Sequence, residues 1–191
     1  MTKTIVQRKR CSADRLPADM HPVLRRVYAA RAVESAEELD YSLERLVSPS
    51  LLGGLPEAVA LLEAAITAGQ RIVIVGDFDA DGATSCALCM RALRAMGAEK
   101  LHYLVPNRFE YGYGLTPEIV NVAAELQPVL IMTVDNGISS IDGVETARQL
   151  GIKVLITDHH LPGEQLPAAD AIVNPNTVGD PFPSKNLAGV G

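Results

Sequence analysis

Three aspartates, Asp77, Asp79 and Asp81, fall within five residues of one another in the stretch RIVIVGDFDADGA. Like charges this close repel strongly, and the usual relief is a bound cation. Hard oxygen ligands at such density suit Mg²⁺ or Mn²⁺. Two further clusters carry the same chemistry, Asp135-Asn136-Gly137 and Asp158-His159-His160. Several aspartates and a histidine at one locus form a two-metal set. A carboxylate such as Asp135 can bridge two cations. Cations roughly 3.5–4 Å apart can hold a phosphate between them and activate a water for in-line attack. The imidazole of His159 is a borderline ligand and favours Mn²⁺ over Mg²⁺. His160 follows it on an extended segment and points to the other side. There it can contact a substrate phosphate or protonate a leaving group. The competing structural reading makes Asp81 a helix N-cap and places the histidines in the turn begun by Leu161-Pro162-Gly163.

The elements around these clusters decide whether they meet. Residues 71–77 open with four apolar β-branched residues, Ile72 to Val75, the mark of a buried parallel strand. A helix is expected over 82–96, and further strands over 101–106, 129–135, 153–157 and 171–174. Helices are expected from Thr116 (N-cap, with Pro117 at the first helical position) to 126, and over 140–150. Repeated βα units of this length predict an α/β fold, a doubly wound, mostly parallel five-stranded sheet. In such sheets ligands gather outside the carboxyl ends of the strands. The three clusters end the first, third and fourth strands, and a strand order of 2-1-3-4-5 places these strands side by side.

Two other segments could grip a polymer. The loop over 107–115 holds Arg108, Phe109, Tyr111 and Tyr113 interleaved with glycines. Aromatic platforms beside a cation hold single-stranded nucleic acid, and the alternative is aromatics folded back on the core. The glycine-bearing segment Leu187 to Gly191 offers backbone amides to an anion. Arg108, Tyr111, Tyr113, Asn136 and Gly189 are therefore the substrate-binding candidates.

The first 70 residues read as a basic arm and helical lead-in. Residues 1–20 lack periodicity. Helices are expected over 22–33, from a capping box at Ser35 and Glu38 to about 46, and over 56–68, closed by Gly69. A linker with Pro49, Gly53 and Gly54 lies between the last two. Residues 1–31 hold eight Lys and Arg against two Asp, while the whole chain of 191 residues carries a net charge of −6. An acidic body with a basic arm suits a polyanionic partner. Neither a membrane span nor a signal-peptide pattern is evident, so a cytoplasmic protein is expected. Cys86 and Cys89 form a CxxC without a second pair, inside a helical pattern, and read as small core residues.

The segments GDFDADGATS (76–85), DNG (135–137) and DHH (158–160) resemble the first three motifs of the DHH phosphoesterase superfamily. VPNRFEYGYGLTPE (105–118) and the final NLAGVG resemble its RecJ branch, the single-strand-specific 5′→3′ DNA exonucleases of bacterial repair and recombination. The resemblance implies that Asp79, Asp81, Asp135 and His159 are metal ligands for Mn²⁺ or Mg²⁺. It implies that Asp77 is a nearby acidic member and that Asp158 supports the histidine pair. His160 takes the substrate-phosphate role, and single-stranded DNA, cut to 5′-mononucleotides, is the substrate. Members of that branch run to several hundred residues, with a further metal-binding Asp, a DHHA1 domain and an OB-type domain. The sequence thus resembles an N-terminal part, with a DHH domain over 71–191. The competing functions are another DHH activity (on short oligonucleotides, cyclic dinucleotides or pyrophosphate), a haloacid-dehalogenase-like phosphatase built on Asp79 and Asp81, and a non-catalytic metal- or nucleic-acid-binding fragment.

Overall fold

A computed structural model describes residues 12–191; the basic arm's first eleven residues lie outside the described part. The chain divides into two compact units, one ending at Leu46 and the other spanning Val47–Gly191. In the first unit, helix α1 covers Pro22–Ala29, with the His21 imidazole accepting from the Val23 amide. It is shorter than the expected 22–33, and Ala32 turns the chain at a positive φ of 58°. The helix expected from Ser35 to residue 46 does not form. The Glu38 carboxylate accepts from the Glu34 and Ser35 amides, which is half of the capping box. Only two isolated turns follow, at Glu37–Leu39 and Leu43–Arg45. Tyr41, Leu43 and Leu46 are exposed, so no apolar face is buried to offset the cost of nucleating a helix.

The second unit holds helix α2 (Leu55–Thr67), β1 (Ile72–Val75), α3 (Ala80–Ala95) and β2 (Leu101–Leu104). It continues with the single-turn α4 (Arg108–Tyr111), α5 (Pro117–Ala124), β3 (Leu130–Val134), α6 (Ile141–Gln149), β4 (Lys153–Thr157) and β5 (Ala171–Val173). The five strands form one sheet in the order β2-β1-β3-β4-β5, and every pairing is parallel. The order expected from the sequence is the one observed, and the sheet is wholly rather than mostly parallel. All carboxyl ends therefore lie along one edge.

Strand alternation divides the core into two layers. Ile72 and Ile74 of β1 pack with Leu130, Met132 and Leu155 under α2 and α3. Val73 and Val75 pack with Ile131, Val154 and Ile156 under α5 and α6. All four β1 residues are wholly buried, because both faces of a parallel sheet are covered. Cys86 and the half-buried Cys89 are free thiols in the α3 layer. Burial, and then the neighbouring Cys89, push Cys86 up to about 11, so the pair are inert core residues as expected. Among the described residues no single helix is long and apolar enough to cross a membrane.

Glycine permits the closest approach in the second layer. A Cβ on Gly143 of α6 would stand 1.8 Å from the Leu115 carbonyl oxygen, a backbone atom with little room to yield. Gly143→Ala is expected to lower stability by about 1–3 kcal/mol through overpacking, read as a lower urea midpoint with unchanged slope. An unchanged midpoint would contradict this packing of α6 against the start of α5.

Candidate metal centre

The chain leaves β1 at Val75 and reaches Asp77 two residues later, buried at the sheet edge. Its carboxylate accepts from the Phe78 amide at 2.7 Å and from Arg108 Nε at 3.1 Å, and Arg108 Nη2 pairs with its other oxygen. The guanidinium lies over both the Phe78 ring, at 4.3 Å, and the Tyr113 ring, at 4.7 Å. A planar cation suits both the fork and the stacking. Asp79, rather than Asp81, is the N-cap of α3, and its Oδ1 accepts from Gly82 N at 3.0 Å. Asp81, in the first turn, accepts on both oxygens from the amides of Gly189 and Val190, each at 2.8 Å.

Asp135 directly follows β3 in a left-handed conformation, φ 62°, which a non-glycine residue adopts at a cost and mostly at functional sites. It is 2% exposed. Its Oδ1 stands 3.1 Å from His159 Nε2 yet receives no well-directed hydrogen bond and is wholly buried. Burial, then the charges of Asp81 and Asp79, push its pKa up to about 6. A carboxylate crowded by carboxylates, with an orphaned oxygen, fits a cation site.

Asp158, at the end of β4, is buried and organises the histidines. Its Oδ1 accepts from the amides of His159 and His160 and lies 2.7 Å from His160 Nδ1. Its Oδ2 accepts from Ile138 N. The two side chains take different hydrogen-bond partners, but they do not point to opposite sides. His159 Nε2 faces Asp135 and, at 3.6 Å, Asp81. His160 faces Asp158 and lies 3.3 Å from the Tyr113 hydroxyl. The rings remain neighbours, with centroids 4.7 Å apart. Burial opposes a charge on His160, but the hydrogen bond and charge of Asp158, together with the charges of Asp135 and Asp77, outweigh it and hold its pKa above the ordinary value.

Ligand atoms of Asp77, Asp79 and Asp135 all lie within 4.8 Å of one another, and so do those of Asp135, His159 and His160. Asp135 belongs to both groups, the arrangement a bridging ligand requires. Beside them opens a cleft of about 930 Å³, walled by Arg108, Tyr113, Asp158, His160 and the segment Gly137–Gly143. This size suits a small ligand or part of a larger one.

Three substrate-binding candidates are placed differently. Asn136 is 1% exposed, and its amide donates to the carbonyls of Val75 and Val134. It ties β1 to β3 and is closed to a substrate. Tyr111 packs against the α5–α6 core layer, which leaves Arg108 and Tyr113 at the cleft. The anion that the Gly189 amide holds is Asp81 itself. Residues not singled out from the sequence also shape the site. Phe78 stacks on Arg108, and the amides of Asn174 and Asn176 donate to the carbonyls of His160 and His159. Asn174 and Asn176 follow β5 at the same sheet edge, so the rule that found the other clusters could have found them.

A model of the DHH family, N-terminal domain, matches residues 71–191. Over 176 residues the chain is 57% identical to the single-stranded-DNA-specific exonuclease RecJ of Escherichia coli K12, covering 92% of this chain and 30% of that protein. A crystal structure of exonuclease RecJ bound to manganese matches with a TM-score of 0.66 and 41% identity, over 73% of this chain and 35% of that one. RecJ from Thermus thermophilus in complex with Mn²⁺ matches with a TM-score of 0.66 and 35% identity, over 86% of this chain and 22% of that one. The chain spans about a third or less of the length of these relatives.

Because Asn136 joins two strands, Asn136→Ala is expected to act on stability. Leaving the Val75 and Val134 carbonyls without this donor costs about 1–3 kcal/mol for each group left unpaired, measurable by urea denaturation. Wild-type stability in this variant would contradict the assignment.

Proposed function

This chain belongs to the DHH family, and we propose that it carries the catalytic centre of a metal-dependent, single-stranded-DNA-specific 5′→3′ exonuclease that releases 5′-mononucleotides. The observation that carries the reading is the buried, orphaned Asp135 carboxylate shared by two ligand groups at one sheet edge. The 57% identity to a RecJ exonuclease supports the reaction class. The polarity and products are those that the resemblance implies. Residues 71–191 form the DHH domain of this reading, and the basic lead-in precedes it. The protein acts in the cytoplasm, in DNA repair and recombination, with single-stranded DNA as its partner.

Each side chain then has a part. Asp77, Asp79 and Asp135 would hold one divalent cation, and Asp135 and His159, with Asp81 beside them, would hold a second. Mn²⁺ suits the imidazole nitrogen better than Mg²⁺ does, and two structures of RecJ relatives contain manganese. Two cations held there would supply charge to neutralise a phosphate and would lower the pKa of a bound water. Asp158 fixes the His160 ring and favours its protonated form. His160 can then donate a hydrogen bond to a phosphate oxygen or a proton to the leaving oxygen. Arg108, stacked between Phe78 and Tyr113, presents charge and ring edges to the strand in the cleft.

The test is a 3′-labelled single-stranded oligonucleotide incubated with the 191-residue chain and Mn²⁺. Stepwise loss from the 5′ end is expected, abolished by EDTA and by Asp135→Asn. Turnover of short oligonucleotides, cyclic dinucleotides or pyrophosphate alone would replace the polymer substrate with a small one. Metal or DNA binding without any turnover would contradict the catalytic reading. His160→Ala should retain Mn²⁺ and lose roughly 10²- to 10⁴-fold in rate; a near-normal rate would remove His160 from the mechanism.

A further inference from the structure

The segment Leu187–Gly191 reaches the sheet edge from far along the sequence and touches two of the proposed ligands at once. Gly189 N and Val190 N each donate to a different oxygen of Asp81, at 2.8 Å. Two consecutive amides gripping both oxygens fix the rotation of the carboxylate, not only its position. On its other side Gly189 lies against Asp135. A Cβ there would stand 2.6 Å from Asp135 Oδ1 and 2.8 Å from both the Cβ and Cγ of Asp135. Those atoms have little room to retreat, because Asp135 is buried and its backbone already sits at a positive φ.

The segment is anchored well enough to act as a template. Lys185 Nζ donates to the carbonyls of Pro175 and Asp180. The Asn176 amide bridges the carbonyls of His159 and Lys185, so the backbone of one proposed ligand is tied to the start of the segment that holds another. Gly189 itself is only half-buried, and the three atoms nearest an added methyl group all belong to Asp135.

We infer that Gly189 is a positioning residue of the metal centre: its amide, with that of Val190, sets the orientation of Asp81, and its missing side chain leaves Asp135 the space it occupies. The inference rests on the metal-dependent reading above. It assigns Gly189 to the ligands and not to the substrate. Each Asp81 oxygen keeps a free lone pair after accepting one amide, so holding Asp81 in this way leaves it able to ligate. Partners of this kind orient ligating carboxylates, and their loss typically weakens metal affinity by roughly 10- to 100-fold.

The experiment is a titration of the full chain with Mn²⁺, following free ion by electron paramagnetic resonance, beside a thermal melt of each variant. Gly189→Ala should weaken Mn²⁺ binding by roughly 10-fold or more in a chain that the melt shows to be folded. Gly163→Ala is the control, since its added Cβ would meet only Gln165 O at 3.9 Å, and it should bind as the wild type does. Val190→Pro replaces one amide N–H with a ring methylene directed at the same Asp81 oxygen, and it should weaken binding several-fold. If Gly189→Ala does not fold, that second variant decides. Wild-type affinity in a folded Gly189→Ala, or in Val190→Pro where the first does not fold, would overturn the positioning role and leave the metal-dependent reading standing. No Mn²⁺ binding by the wild-type chain would overturn both.

Discussion

The site depends on the mutual repulsion of carboxylates that the fold forces together. Asp77, Asp79, Asp81 and Asp135 converge where the sheet ends, and Asp135 is almost wholly enclosed. Burial and two neighbouring charges raise its pKa to about 6. Such an arrangement is unfavourable in isolation. Part of the charge is met within the chain, by Arg108 at Asp77, by backbone amides at Asp81 and by the α3 N-terminus at Asp79. Asp135 Oδ1 alone among these carboxylate oxygens is buried without a hydrogen bond. That is the point at which a cation has most to contribute.

The scaffold explains why the crowding is stable. All five strands are parallel, so their carboxyl ends share one edge. Both faces are covered by helices, and the wholly buried residues of β1 lock into two apolar layers. Rigid strand ends then carry the polar groups. Asn136 ties β1 to β3, Asp158 ties β4 to the turn after β3, and Asn174 and Asn176 tie the segment after β5 to the histidine backbone. These side chains tie the strand ends to one another; Asn136 Oδ1 and Asp135 Oδ1 are both buried without a partner, and the positive φ falls at Asp135.

The strand order was legible because apolar runs, helical patterns and polar clusters alternate regularly, and because a parallel sheet leaves few arrangements that bring the clusters together. The direction of individual side chains was less legible. Asn136 and Tyr111 are polar or aromatic types beside the site, yet one is used to join strands and the other to fill the core. Composition does not separate these roles; the path of the backbone does. The lead-in after Ser35 carries a helix-start signal and apolar residues at helical spacing (Leu39, Leu43 and Leu46), but Leu43 and Leu46 stay exposed, and capping without burial does not make a helix there. The contact of Gly189 with Asp81 and Asp135 spans most of the DHH domain in sequence and leaves no local pattern to read.

The proposed metal centre turns on Asp135, which belongs to both candidate ligand groups. The most direct measurement is the Mn²⁺ stoichiometry of the chain, with low-temperature electron paramagnetic resonance to detect coupling between ions. Two ions per chain with a spin-coupled signal are predicted, with loss of that coupled pair in Asp135→Asn. A single site, or two uncoupled ions that persist when Asp135 is replaced, would contradict it.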